Sequence, residues 1–289
     1  MQTKTYGGQS MVAPLRRVMM RRPDEAFGNA DPLRWHYTSQ PDLARAQAEH
    51  DALVATIRAA GTEVIYHSIP QPERADSIFV YDPAFITDHG AMILSMGKEL
   101  RRGEEAAMAE SFATLNIPIL TTLRGEARAE GGDMFWLDQE TLAIGIGFRT
   151  NAAGVNQIRA ALEPHGVRVL AYDMPYYTGP EACLHLLSFI SLVDERMAVV
   201  HLPLMPVALY QELKRRDFTL IEIPEAEYAT QATNVLALAP GQLLMLEGNP
   251  GTKRLLEQAG CEVQTYRGEE LSFKAEGGPT CLTRPILRG

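Results

Sequence analysis

The segment AAGTEVIYH (residues 59–67) closes a helix-like pattern, breaks at Gly61 and enters a β-rich run. Glycine just past the last helical turn is a stop signal, and Val64, Ile65 and Tyr66 are strand formers. The same grammar returns in TLNIPIL (114–120), PHGVRVLAYD (164–173), RRDFTLIEIP (215–224) and QAGCEVQTYR (258–267). Its breakers, Gly61, Asn116, Gly166, Asp217 and Gly260, fall 43 to 55 residues apart, a spacing too regular for unrelated connections. The chain therefore reads as five structural repeats.

Each β-rich run is followed by a polar turn and then two further strands. These lie in DSIFVYDPAFITDHGAMILSM (76–96), EGGDMFWLDQETLAIGIG (130–147), LHLLSFISLVDERMAVVHL (184–202), QATNVLALAPGQLLMLEG (231–248) and GGPTCLTRPILR (277–288). Within the first four, DHG, DQET, DER and APGQ have hairpin-turn chemistry between apolar runs. The fifth repeat runs out of chain after one strand, and LRRVMMRRP (15–23) is expected to supply the missing one, closing a ring with no open edge. Helical patterns such as LARAQAEHDALVATIRAA (43–60) and AAGVNQIRAAL (152–162) follow the strands. The expectation is an α/β ring of ββαβ repeats, stabilised by contact between neighbours and folding as one domain with no linker.

Composition narrows the function. With 46% hydrophobic and 22% charged residues over 289 positions, the chain suits an ordinary globular protein. A net charge of -9 argues against a nucleic-acid or anionic-membrane partner and favours basic small molecules. Three cysteines, Cys183, Cys261 and Cys281, without CxxC spacing fit a reducing compartment, and the amino-terminal region lacks the apolar run of a signal peptide. A cytoplasmic location is expected.

If the repeats are equivalent, the residues at their polar turns face one central cavity. Counted from the breakers these are Asp76 and Asp82 (offsets 15 and 21), Glu130 (14), His185 (19), Asn234 (17) and Cys281 (21). A thiol beside an imidazole meets the requirement for covalent catalysis, and surrounding carboxylates suit a cationic substrate. Each residue alone also has a structural reading. His185 in LHLLSFI fits a satisfied core histidine, Asp76 and Asp82 fit turn caps, and EGGD fits a tight turn. The C-x-H pair Cys183–His185 falls short of a zinc site, and GIGFRTN lacks the order of a dinucleotide-binding loop. Their shared place in the repeat favours the catalytic reading.

Six motifs, in order, carry a family resemblance: DSIFVYDPAF (76–85), GKELRRGE (97–104), EGGD (130–133), FRTN (148–151), CLHLLS (183–188) and GGPTCLTRP (277–285). The chain resembles the guanidine-modifying (pentein) superfamily of arginine deiminases, amidinotransferases and dimethylarginine dimethylaminohydrolases, and most resembles the last of these. The resemblance implies a five-bladed α/β propeller of ββαβ repeats with pseudo-five-fold symmetry, forming a single catalytic domain over residues 1–289. It implies Cys281 as nucleophile, His185 as general acid/base and Glu130 as the carboxylate orienting the histidine. It also implies that Asp76 and Asp82 hold the guanidinium group and that Arg101 and Arg149 bind the substrate's carboxylate. Leu187 stands where deiminases and amidinotransferases carry an aspartate, and Tyr81 where dimethylarginine hydrolases often carry a glutamate.

The expected activity is hydrolysis of a guanidino substrate, N-methylated arginine first, to citrulline and methylamine through a thiouronium on Cys281. No metal or organic cofactor is called for. Arginine deimination or amidino transfer is the alternative, and an inert binding protein for cationic amino acids is the third reading. The expected partner is a small guanidino molecule, with neither nucleic acid nor membrane, and homo-oligomer formation is left open.

Overall fold

The structure, a computed structural model, describes residues 4–289. All five breakers adopt the left-handed backbone, with φ of 86° at Gly61, 54° at Asn116, 74° at Gly166, 58° at Asp217 and 94° at Gly260. Asparagine and aspartate tolerate this region better than other residues with a Cβ, so one conformation unites a breaker set of mixed identity. Each ends a helix and turns the chain into a strand.

Among the described residues the strands form five three-stranded sheets. In the first blade, Ala84–Thr87 pairs antiparallel with Gly90–Ile93, and helix Glu104–Thr114 returns the chain so that Ile119–Thr122 lies parallel to the second strand. The pattern recurs with Met134–Asp138, Thr141–Ile146, helix Ala152–Leu162 and Arg168–Asp173, and again with Ile190–Asp194, Met197–Val200, helix Val207–Arg215 and Thr219–Glu222. The fourth blade uses Val235–Ala239, Gln242–Leu246, helix Pro250–Gln258 and Glu262–Tyr266. The fifth joins the two chain ends. Its first strand, Arg284–Arg288, pairs antiparallel with Leu15–Met20, which after helix Leu43–Ala59 is joined in parallel by Glu63–Tyr66. The borrowed strand thus lies where the truncated fifth repeat requires it.

In the first four blades the opening two strands are almost wholly buried, whereas Ile119–Thr122 and Thr219–Glu222 keep exposed ends. Phe85, Met92, Phe135, Phe189 and Val199 pack in the interior, together with Tyr81 and Leu187. Ahead of each first strand stands a short turn. Three are 3-10 turns, Ala75–Ile78, Gly131–Asp133 and Leu186–Ser188, and the other two span 228–233 and 279–282. Among the described residues no helix is long and apolar enough to cross a membrane.

Candidate active site

The five turns carry Asp76, Glu130, His185, Asn234 and Cys281 to one end of the fold, where two adjoining cavities of about 470 and 50 Å³ meet. Both are lined by Asp82, Cys183, His185, Glu276 and Cys281.

Cys281 sits in the turn before the last strand. Glycine is needed ahead of it: a Cβ on Gly278 would lie 2.4 Å from Cγ of Asn234, and one on Gly277 would lie 2.1 Å from the Phe79 ring. Asn234 binds the turn at both ends of its amide, donating to Cys281 Sγ at 3.2 Å and accepting from the Thr280 amide at 3.0 Å. Burial, then the negative charge of Asp82, pushes the Cys281 thiol up to about 11, against the Asn234 hydrogen bond and the His185 charge. At neutral pH Cys281 therefore rests as a thiol.

His185 precedes the 3-10 turn Leu186–Ser188 and does not lie on a strand, so the strand expected within 184–202 begins only after this turn, at Ile190. The turn is pinned by the His185 amide donating to Ser188 Oγ (2.9 Å) and the Leu186 amide donating to Asp133 Oδ1 (3.0 Å). His185 Nε2 meets Glu130 Oε2 at 2.7 Å, and Nδ1 lies 3.8 Å from Cys183 Sγ. Burial opposes a charge on this ring, but Cys183, Asp82 and Glu130 outweigh it and raise the pKa of His185 well above the ordinary value. Glu130 is fully buried, accepting from the Lys98 amide at 2.8 Å and from Arg149 Nη1 at 3.3 Å. Against burial, the His185 hydrogen bond and the Arg149 charge hold its pKa below the usual carboxylate range.

The two aspartates already have partners. Asp82 accepts from the Gly132 amide (2.9 Å) and pairs with Arg101 Nη1 (2.5 Å). Asp76 accepts from the Tyr37 hydroxyl (2.7 Å) and pairs with Lys98 Nζ (2.6 Å), which also lies 5.2 Å from the centre of the Trp35 ring. Arg101 is buried, forks onto Glu104 through Nε and Nη2, and donates to the Phe79 carbonyl. Its neighbour Arg102 faces outward and pairs with Glu99. Burial raises Glu104 to about 7 despite Arg101, and raises Asp133, held by Thr150, to about 6. Atoms of Asp82, Glu130 and His185 lie within 4.8 Å of one another, close enough for a metal, but protein hydrogen-bond partners already engage all three side chains.

All eight residues singled out from the sequence, Cys281, His185, Glu130, Asp76, Asp82, Asn234, Arg101 and Arg149, thus gather at this site. Sequence reasoning missed Lys98 and Tyr37, the partners of Asp76, and Glu104, the second partner of Arg101. It noticed Cys183 but set the Cys183–His185 pair aside as short of a zinc site. The chain from 183 to the 3-10 turn is irregular, and Cys183 is exposed on the cavity wall. Tyr81 and Leu187, the two departures from the family pattern, are both buried and both line the larger cavity.

A pentein ring with cysteine, histidine and glutamate at its centre suits guanidine chemistry, and comparison with known proteins agrees. The chain belongs to the family described as N,N dimethylarginine dimethylhydrolase, eukaryotic, matching it over residues 22–288. It is 31% identical to the N(G),N(G)-dimethylarginine dimethylaminohydrolase of Streptomyces coelicolor over 272 residues, covering 93% of this chain and 96% of that one. The enzyme of the same name from Pseudomonas aeruginosa is 26% identical over 269 residues, 93% of this chain and 98% of the other. Among solved structures, the Pseudomonas aeruginosa protein with its cysteine changed to serine, in complex with citrulline, superimposes with a TM-score of 0.78 at 24% identity, covering 94% of this chain and all of that one. The N-terminal domain of ArgZ, covalently bound to a reaction intermediate, gives a TM-score of 0.82 at 19% identity, covering 94% of this chain and 98% of that one.

Proposed function

We propose that this protein is a cysteine-dependent hydrolase of N-methylated arginine, forming citrulline and the methylated amine through a covalent intermediate on Cys281. The observation that carries the proposal is the sharing of one cavity by Cys281 and His185, with Glu130 2.7 Å behind the imidazole. The substrate's cation and the imidazolium of His185 stabilise the Cys281 thiolate, whose proton passes to solvent. Sulfur adds to the guanidinium carbon. His185 then gives its proton to the substituted nitrogen, the C–N bond breaks, and neutral amine leaves a thiouronium on Cys281. The now neutral His185 takes a proton from water as its oxygen bonds the same carbon. The C–S bond breaks as the hydroxyl gives its proton to solvent, releasing citrulline and regenerating the thiolate beside the imidazolium.

Asp82 orients the guanidinium in this scheme, with Arg101 and the Gly132 amide fixing the carboxylate. Because Arg101 is shared between Asp82 and Glu104, we assign it chiefly to positioning Asp82. Arg149, whose single carboxylate partner is Glu130 at 3.3 Å, is the better anchor for the substrate's α-carboxylate. Asp76 and Lys98 form a matched pair in the smaller cavity, suited to the zwitterionic head of an amino acid. Leu187 on the cavity wall favours a methylated nitrogen, since an aspartate there would seek the N–H donors that methylation removes. Three free cysteines support a reducing, cytoplasmic setting.

Incubation with asymmetric dimethylarginine tests the reading. Citrulline and dimethylamine should appear in equal amounts with no added amine acceptor, and Cys281→Ser should yield neither while keeping its melting temperature. Ammonia from plain arginine with dimethylarginine untouched, or citrulline from Cys281→Ser, would overturn it.

A further inference from the structure

The two cavities that meet at Cys281 differ in kind. Lining residues found only in the smaller one include Asp76, Lys98, Arg101, Arg149 and Glu181, all charged. Those found only in the larger one include no charged side chain and supply Tyr177, Tyr228, Leu187 and Thr233. Tyr177 and Tyr228 stand edge to face with ring centres 6.4 Å apart, and Tyr228 is backed by the stacked ring of His201 at 4.0 Å. At about 470 Å³ the larger cavity falls within the range of sites for drug-sized ligands, whereas dimethylamine has three non-hydrogen atoms.

Charge decides which part of a substrate enters which cavity. Desolvating an α-ammonium and an α-carboxylate is costly away from ionic partners, so an arginine's head belongs with Lys98, Arg149 and the acids of the smaller cavity. The guanidinium carbon must lie against Cys281, at the junction. Its substituted nitrogen then points toward His185 and the aromatic walls of the larger cavity, which adds no charged side chain to the shared Asp82, His185 and Glu276. His185 Nε2 is held by Glu130, so Nδ1, beside Cys183, is left to protonate the departing amine there.

We infer that the larger cavity is a leaving-amine compartment, and that the protein hydrolyses arginines whose terminal nitrogen carries alkyl or aralkyl groups bulkier than methyl, of butyl to benzyl size. The inference rests on the hydrolase reading above. Each added methylene buried against the apolar walls gains up to about fourfold in kcat/KM. Benzyl substituents gain further from edge-to-face contact with Tyr177 and Tyr228.

The test is a series of arginines N-substituted with methyl, dimethyl, propyl, butyl and benzyl groups, scored for citrulline and for the matching amine. The wild type should turn over the butyl and benzyl compounds with kcat/KM at least equal to that for asymmetric dimethylarginine. Ala229→Trp, an exposed position on the rim of the larger cavity alone, should lower the butyl-to-dimethyl ratio at least tenfold. Turnover of dimethylarginine with kcat/KM falling steeply beyond methyl would overturn the compartment and leave the hydrolase reading standing. An unchanged ratio in Ala229→Trp would equally remove the cavity from the amine's path. No citrulline from any member would overturn both readings.

Discussion

Cys281 and Cys183 line the same cavity, yet their thiols are pulled in opposite directions. Burial and Asp82 push Cys281 up to about 11. Crowding by protein atoms raises Cys183 as well, but there the charges of His185 and Arg149 outweigh it and bring the thiol below its ordinary value. Alkylation follows the thiolate, so in free enzyme at pH 7 iodoacetamide should label the exposed Cys183 before Cys281. Labelling of Cys281 should rise only as pH climbs toward its higher pKa, and peptide mapping over a pH series reads both rates. First labelling at Cys281 at neutral pH would contradict the charge arrangement. Among single residues, Asp76, Asp82, Glu130, His185, Asn234 and Cys281 were legible because each lies 14 to 21 residues past its breaker, whereas Arg101 and Arg149 were marked by the family resemblance. Lys98 and Tyr37 were not, because each meets Asp76 across 22 and 39 residues of chain with no periodic signal to mark the partner.

The turns ahead of the first strands do the positioning, and EGGD shows how. Its two glycines face different neighbours. A Cβ on Gly131 would lie 2.2 Å from the Tyr81 carbonyl oxygen, a backbone atom with no freedom to retreat, whereas one on Gly132 would lie 2.4 Å from Nδ1 of His185, a movable side chain. Gly131→Ala should therefore destabilise the fold by about 3 kcal/mol, the upper end of overpacking costs, seen as a lowered melting temperature. Gly132→Ala should displace the imidazole and lower kcat at least a hundredfold with the smaller loss of stability. Equal melting losses with full activity in Gly132→Ala would remove this turn from the site. Strands, helices and the polar turns, EGGD among them, were readable from period and breakers, but the 3-10 turn Leu186–Ser188 was not. Leu186–Ser188 lies in an apolar run whose alternation resembles a strand, and the Leu186–Asp133 hydrogen bond that bends it comes from another repeat.

Closing the fifth blade ties both chain ends to catalysis, since the strand that follows Cys281 completes its sheet only by pairing with Leu15–Met20. Ile286 and Met19 are fully buried at this junction. We propose that residues 1–289 act as one domain, because every blade leans on its neighbours. Calorimetry should then show one unfolding transition, and deleting residues 284–289 should lower the melting temperature of the whole molecule. A separate transition assignable to the fifth blade would contradict this. The ring was legible because a repeat short of one strand at one end implies a donor at the other. The individual contacts between blades, set by side-chain shape, carry no such period.

Covalent catalysis at Cys281 is tested most directly by acid-quenching the enzyme during turnover of asymmetric dimethylarginine and measuring the mass of its peptides. The peptide bearing Cys281 should carry an added amidino group with the arginine carbon chain, the substrate less dimethylamine, absent in Cys281→Ser and lost on further incubation as citrulline appears. Sustained citrulline production with the adduct on Cys183, or with Cys281 unmodified at every quench time, would contradict it.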